Sequence, residues 1–121
     1  MTSPPEITHC GRTVSGDFVA WDIRWEGGMP DGAVVQWSMV VADEDEEVRL
    51  IHGRRGSTTE QYVVGAGGRE DVEPDADVSE HEITVRFPAD LVGVAVEWPV
   101  WTAVVTVDGE DVSQMVCTVS S

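Results

Sequence analysis

The sequence predicts an all-β chain that closes into an antiparallel sandwich of seven to eight strands, and three observations carry that prediction. Short apolar-polar alternations recur at roughly 8 to 12 residue spacing. Clusters of Gly, Pro, Asp and Glu separate them, and no stretch sustains a helical period. The 121 residues are expected to form one domain over 1–121, large enough to bury a core of its own.

The elements follow in order. "DFVAWDIRW" puts Val19, Trp21, Ile23 and Trp25 on one face, opposite Asp22 and Arg24, the alternation of a half-buried strand. After "GGMPDG", "AVVQWSMVVA" repeats the pattern with Val35, Trp37, Met39 and Val41 against Gln36 and Ser38. These two segments are expected to form a hairpin or to lie as neighbouring strands. Beyond the acidic run Asp43 to Glu47, "VRLIHG" and "TTEQYVVG" make a second hairpin around "RRGS", a four-residue connection. "GAGGREDVEPDADVS", Gly65 to Ser79, has no apolar period and reads as a long surface loop. "HEITVRFP" turns Ile83, Val85 and Phe87 inward before Pro88 stops it, and "ADLVG" reads as a single helical turn. Finally Trp101, Ala103, Val105 and Val107 form an inward row that runs into Asp108-Gly109, a pair suited to the positive φ of a tight two-residue turn.

The only two cysteines, Cys10 and Cys117, stand near the two ends of the chain. In a sandwich the first strand commonly lies near the last, so the two sulfurs can meet and tie the ends together. The other reading is a pair of buried free thiols acting as small apolar residues. A bridge would point to an oxidising compartment.

Two segments, "ITVRFPADLVG" (Ile83 to Gly93) and "WTAVVTVDGEDVS" (Trp101 to Ser113), resemble the closing strands of immunoglobulin-like sandwich domains of surface, exported or virion proteins from high-GC bacteria and their phages. They cover about a fifth of the chain. The resemblance implies an immunoglobulin-like β-sandwich with a role in adhesion or assembly, and it carries over no functional residue. Cys10, Trp37 and Cys117 echo the immunoglobulin pattern of two cysteines around a central Trp, but these cysteines sit at the termini instead of on the inner strands.

With 7 basic against 23 acidic residues the formal net charge is -16, which repels phosphate backbones and anionic headgroups. Nucleic acid and membrane are therefore not expected as partners. Every basic residue is Arg and none is Lys, a composition typical of a GC-rich genome or a salt-loving source. "MTSPPEITHCG" has neither a basic start nor an apolar stretch and reads as carrying no secretion signal, and no run approaches membrane-spanning length.

Candidate chemistry is sparse. There is no Gly-x-Ser-x-Gly elbow, and His9, His52 and His81 are scattered, each beside what looks like a strand end, so no enzyme is expected. No cofactor is called for, although Glu70, Asp71, Glu73, Asp75, Asp77 and Glu80 offer oxygen ligands for calcium in the long loop. Without the bending glycine of an EF-hand they read first as a solvated acidic loop, with bound calcium the lesser alternative. Trp21, Trp25 and Trp37 belong to the core. Trp98 and Trp101, three apart, point to opposite sides of a continuous strand, which makes Trp98 the candidate for an exposed indole, or else a bulge at Pro99 puts both inside. An exposed indole would stack on a sugar or anchor a protein. Arg54 and Arg55 in "GRRGS" are the only basic cluster and could dock on carboxylates of a neighbour, including the Asp43 to Glu47 run of another copy, or else form a solvated turn.

The sequence thus points to a non-enzymatic module acting by protein-protein contact or self-association, an accessory or structural subunit of a larger assembly such as a virion decoration or tail protein. Its expected place is extracellular or on a virion surface. The alternative is a secreted carbohydrate-binding or adhesion module.

Overall fold

The computed structural model describes residues 5–28, 32–43, 46–65, 68–92, 98 and 100–118. Among these, ten strands and one helical turn follow in order: β1 (Glu6–Ser15), β2 (Phe18–Glu26), β3 (Val34–Asp43), β4 (Glu46–Arg55), β5 (Thr58–Gly65), β6 (Gly68–Val72), β7 (Ala76–Val78), β8 (Glu82–Pro88), α1 (Ala89–Val92), β9 (Val100–Val107) and β10 (Glu110–Thr118). They form two antiparallel sheets, ordered β1-β2-β8-β7 and β10-β9-β3-β4-β5-β6. This is the order of a variable-type immunoglobulin sandwich, A-B-E-D against G-F-C-C′-C″, with β6 added outside the C″ position.

The predicted all-β sandwich forms, with two corrections. The count is ten strands because β6 and β7 occupy the segment read as a loop. The described residues of β6 are largely exposed, and it is held to β5 by backbone pairing and by Arg69, which lies over Tyr62 and reaches Glu60, so it leaves no apolar alternation to read. β2 and β3 are not neighbours either: β2 pairs with β1 and β8, while β3 pairs with β4 and β9. Both present an apolar inner face, and the two faces meet across the core, so alternation alone gave each strand correctly and their pairing wrongly.

The core is the set of inward rows. Val19, Trp21, Ile23, Val35, Trp37, Met39, Val41, Ile83, Val85, Phe87, Ala103 and Val105 are fully buried. Trp21 of β2 meets Trp101 of β9 edge to face at 4.9 Å, and Trp25 lies 5.8 Å from Trp37. In antibody domains a disulfide links the strands that β2 and β9 correspond to; here an aromatic pair does so. The Nε1 atoms of Trp21, Trp25 and Trp37 are buried without an acceptor. An unmade hydrogen bond costs about 1–3 kcal/mol, whereas burying roughly 200 Å² of indole contributes about 5 kcal/mol. Burial wins, and the rings stay inside.

Two flanks tie the sheets together. On one, Cys10 of β1 and Cys117 of β10 form a disulfide with Cα atoms 6.2 Å apart, which decides between the bridge and the free thiols. Beside it the Ile7 amide donates to Ser113 Oγ at 2.9 Å. On the other, the buried Gln61 of β5 spans the gap: its Nε2 donates to the Arg86 carbonyl of β8 at 2.7 Å, and its Oε1 accepts from the Asp75 amide at 3.0 Å. His52 Nδ1 lies 2.9 Å from the same Oε1 and donates to it. The tight β9–β10 turn is as expected, with Asp108 at φ 50° and Gly109 at φ 87°. The expected helical turn is α1, four residues long.

Candidate functional site

The β4–β5 hairpin turns more sharply than its sequence implies. Arg55 pairs with Thr58, so only Gly56 and Ser57 bridge the strands, with Gly56 at φ +61°. Arg54 and Arg55 are therefore the last residues of a strand instead of a loop tip, and successive strand residues point to opposite faces. Arg54 pairs in register with the inward Val35, is half-buried, and holds its guanidinium 5.6 Å from the centre of the Trp37 ring. Arg55 faces outward and is exposed.

Arg54 rims an open cleft of about 600 Å³ at this end of the sandwich. Trp25 and Trp37 lie beneath it, Gly27 and Gly28 follow β2 along one side, and Val78 at the end of β7 with Ser79, Glu80 and His81 of the following turn complete the lining. Both indoles are buried under the cleft and present almost no surface to it. Val78, by contrast, is 41% exposed. A smaller cleft of about 230 Å³ lies on the other side of the hairpin end between Arg54, Arg55, Thr58 and Glu60.

The charge pattern singles the same end out. Arg24 pairs with Glu82, Arg49 with Glu47, Arg69 with Asp71 and Glu60, and Arg86 with Asp75 and Asp77. Arg54 and Arg55 pair with no carboxylate of the described residues. In a chain with 23 acids, a pair of guanidiniums left without one stands out.

The remaining sequence candidates fall as follows. Trp98 is buried, at 9% exposure, alongside Trp101 at 1%, which is the inward alternative for both rings and takes Trp98 out of the candidate interface residues; Pro99 lies outside the described residues. All five indoles are thus buried and none offers a sugar-stacking platform. Asp75 and Asp77 flank the Arg86 guanidinium at 3.2 and 2.8 Å, and Asp71 holds Arg69 at 2.9 Å. Those carboxylates already have a cation, and among the described residues no group of three His, Cys, Asp or Glu side chains is placed to hold a metal. Hydrogen bonds from Arg86 to Asp77 and then Asp75 raise its pKa above the ordinary value. Of the acidic run Asp43 to Glu47, Glu44 and Asp45 lie outside the described residues, and Glu46 and Glu47 sit at the opposite end of β4 from Arg54.

His52 is not at a strand end, as its sequence context implied, but in mid-strand and buried, its ring 6.0 Å from that of Trp37. Burial lowers its pKa below the ordinary 6.5 and the Arg54 charge lowers it further, while the hydrogen bond to Gln61 opposes both. Sequence reasoning missed Gln61 altogether, because a lone amide in "TTEQYVVG" gives no sign of facing inward. Among the described residues no helix is long and apolar enough to cross a membrane. Compared with family models, curated proteins and solved structures, the chain finds no match.

Proposed function

We propose that this protein is a non-enzymatic recognition module, an accessory or structural subunit that docks on a larger assembly by protein-protein contact through the end of the sandwich bearing Arg54 and Arg55. The observation that carries the reading is the pair of guanidiniums that form no ion pair with a described carboxylate, beside an open cleft that exposes Val78. Arginine recognises carboxylates with a planar fork, and Arg with apolar pockets forms the energetic centre of many protein interfaces. A partner side chain seated in the cleft against Val78 would bring its acidic neighbours to Arg54 and Arg55.

Other features support a binding role over a chemical one. Both cysteines are consumed in the disulfide, and His52 is sealed in the core with Nδ1 committed to Gln61. The disulfide is consistent with oxidising surroundings, and an extracellular or virion-surface location, as a decoration or tail subunit, is part of this proposal.

The test is co-sedimentation of the purified chain with surface or virion particles of its source, together with sedimentation velocity of the chain alone. Reversing both charges, Arg54→Glu with Arg55→Glu, should weaken co-sedimentation by about tenfold or more. Equal binding by the reversed variant, or neither self-association nor particle binding by the wild type, refutes the reading.

A further inference from the structure

The outer face of the six-stranded sheet carries a second, chemically different surface. Three cross-strand rows run over it: Asp111-Thr106-Gln36-Gly53, then Gln114-Val104-Ser38-Ile51-Tyr62, then Val116-Thr102-Val40-Arg49. Strands lie about 4.8 Å apart and same-face residues about 7 Å apart along a strand, so these rows cover on the order of 20 by 14 Å. All of them but Gly53 and Val116 line an open depression of about 530 Å³. Its lining holds one cation, Arg49, and one anion, Asp111, in a chain whose net charge is -16. Arg49 is turned to Glu47 and Asp111 accepts from Thr106. The side chains of Gln36, Ser38, Thr102 and Gln114 hydrogen-bond to no described residue.

We propose that this depression binds a neutral, polyhydroxylated ligand, an oligosaccharide lying across β10, β9, β3 and β4. A sugar hydroxyl both donates and accepts, and so do the amide of Gln36 or Gln114 and the hydroxyl of Ser38 or Thr102. The half-buried Val40 and Val104 lie among these groups and meet the C–H faces of the rings. A neutral ligand also escapes the long-range repulsion that this acidic body exerts on anions. A protein partner fits less well, since the centres of protein interfaces are rich in Trp, Tyr, Met and Arg. The one aromatic ring here, Tyr62, is covered by the Arg69 guanidinium 3.7 Å from its centre. Without a free ring to stack on, binding saturates only at millimolar sugar.

This site is separate from the Arg54 end, and the experiment keeps the two apart. Amide spectra of the 15N-labelled protein are followed while neutral hexasaccharides of α- and β-linked glucose, xylose and mannose are added. At least one is expected to move the Gln36 and Gln114 side-chain amides, and the Ser38 and Thr102 backbone signals, in a saturable way. Gln36→Ala with Gln114→Ala should weaken that binding by about fivefold or more, each lost hydrogen bond being worth about 1 kcal/mol. Reversing Arg54 and Arg55 should leave it unchanged while weakening particle binding. The proposal falls if no sugar moves these signals, or if the double alanine variant responds as the wild type does. It also falls if the same signals move only on concentrating the protein, which would make the face a contact between copies.

Discussion

The two flanks of the sandwich hold the same two sheets together by opposite means. Where the chain ends meet, β1 and β10 are joined by the Cys10–Cys117 bond. Where β5 to β8 wrap the far side, a buried amide, Gln61, joins His52, the Asp75 amide and the Arg86 carbonyl, and outside it Arg86 grips Asp75 and Asp77. The first tie is indifferent to pH and vulnerable to reductant. The second is indifferent to reductant and depends on protonation state and on every partner staying in place. A sandwich with both loses its two flanks under different conditions, so each can be opened while the other holds.

Opening the covalent flank should have the largest effect. The bridge closes a loop of 107 residues, and the chain-entropy estimate for such a loop is about 4 to 5 kcal/mol. Reduction, or Cys10→Ser with Cys117→Ser, is expected to lower the unfolding free energy by about 2–5 kcal/mol, read from urea transitions with and without reductant. An unchanged midpoint would mean that the Ile7–Ser113 hydrogen bond and the Trp21–Trp101 contact already fix this flank.

Opening the polar flank should rank second. Gln61→Leu fills the space with apolar atoms but strands the Asp75 amide, the Arg86 carbonyl and His52 Nδ1. One buried unsatisfied group costs about 1–3 kcal/mol, and since Asp75 and Arg86 can recover water at the edge, the expected loss is about 3 kcal/mol. Hydrogen exchange sharpens the comparison: the Arg86 amide, bonded to the Asp75 carbonyl, should lose protection with Gln61→Leu and keep it on reduction.

The two flanks also differ in how far the sequence disclosed them. A strand that buries one face must alternate, so the inward rows of β2, β3, β8 and β9 were legible from Val19 to Val107, and two cysteines at the chain ends suggested their own partner. Alternation says nothing of which strand lies alongside, so β2 and β3 were placed together when the core separates them. Edge strands such as β6 and β7 are held by backbone pairing and by Arg69 and Arg86 respectively, and they carry the charges that keep an edge from aggregating, which in sequence look like a loop. Gln61 and His52 were invisible because their burial depends on three partners from different elements. At the candidate site Arg54 and Arg55 stood out by composition, whereas the wall from Val78 to His81 comes from the opposite sheet, and no local pattern joins it to them.

The smallest expected effect, and the one most specific to the polar flank, is its response to acid. His52 donates through Nδ1 to Gln61, so further protonation falls on Nε2 and places a charge in the core near Trp37 and Arg54. Its folded pKa lies below the ordinary 6.5, so between the two values the unfolded chain binds more protons than the folded one. The stability this residue contributes is therefore complete above pH 6.5 and is lost as the pH falls from there through the folded value. The body's net charge acts the other way, since protonating carboxylates relieves repulsion in a chain of -16. The wild-type profile alone mixes the two, but its difference from His52→Gln as the pH is lowered from 6.5 isolates the histidine. That difference should shrink on acidification, and it should do so equally with the Cys10–Cys117 bond intact or reduced, because perturbations at distant sites add within about 0.5 kcal/mol. An acid response that disappears on reduction would show that the flanks act as one unit, and the division between a covalent and a titratable tie would fail.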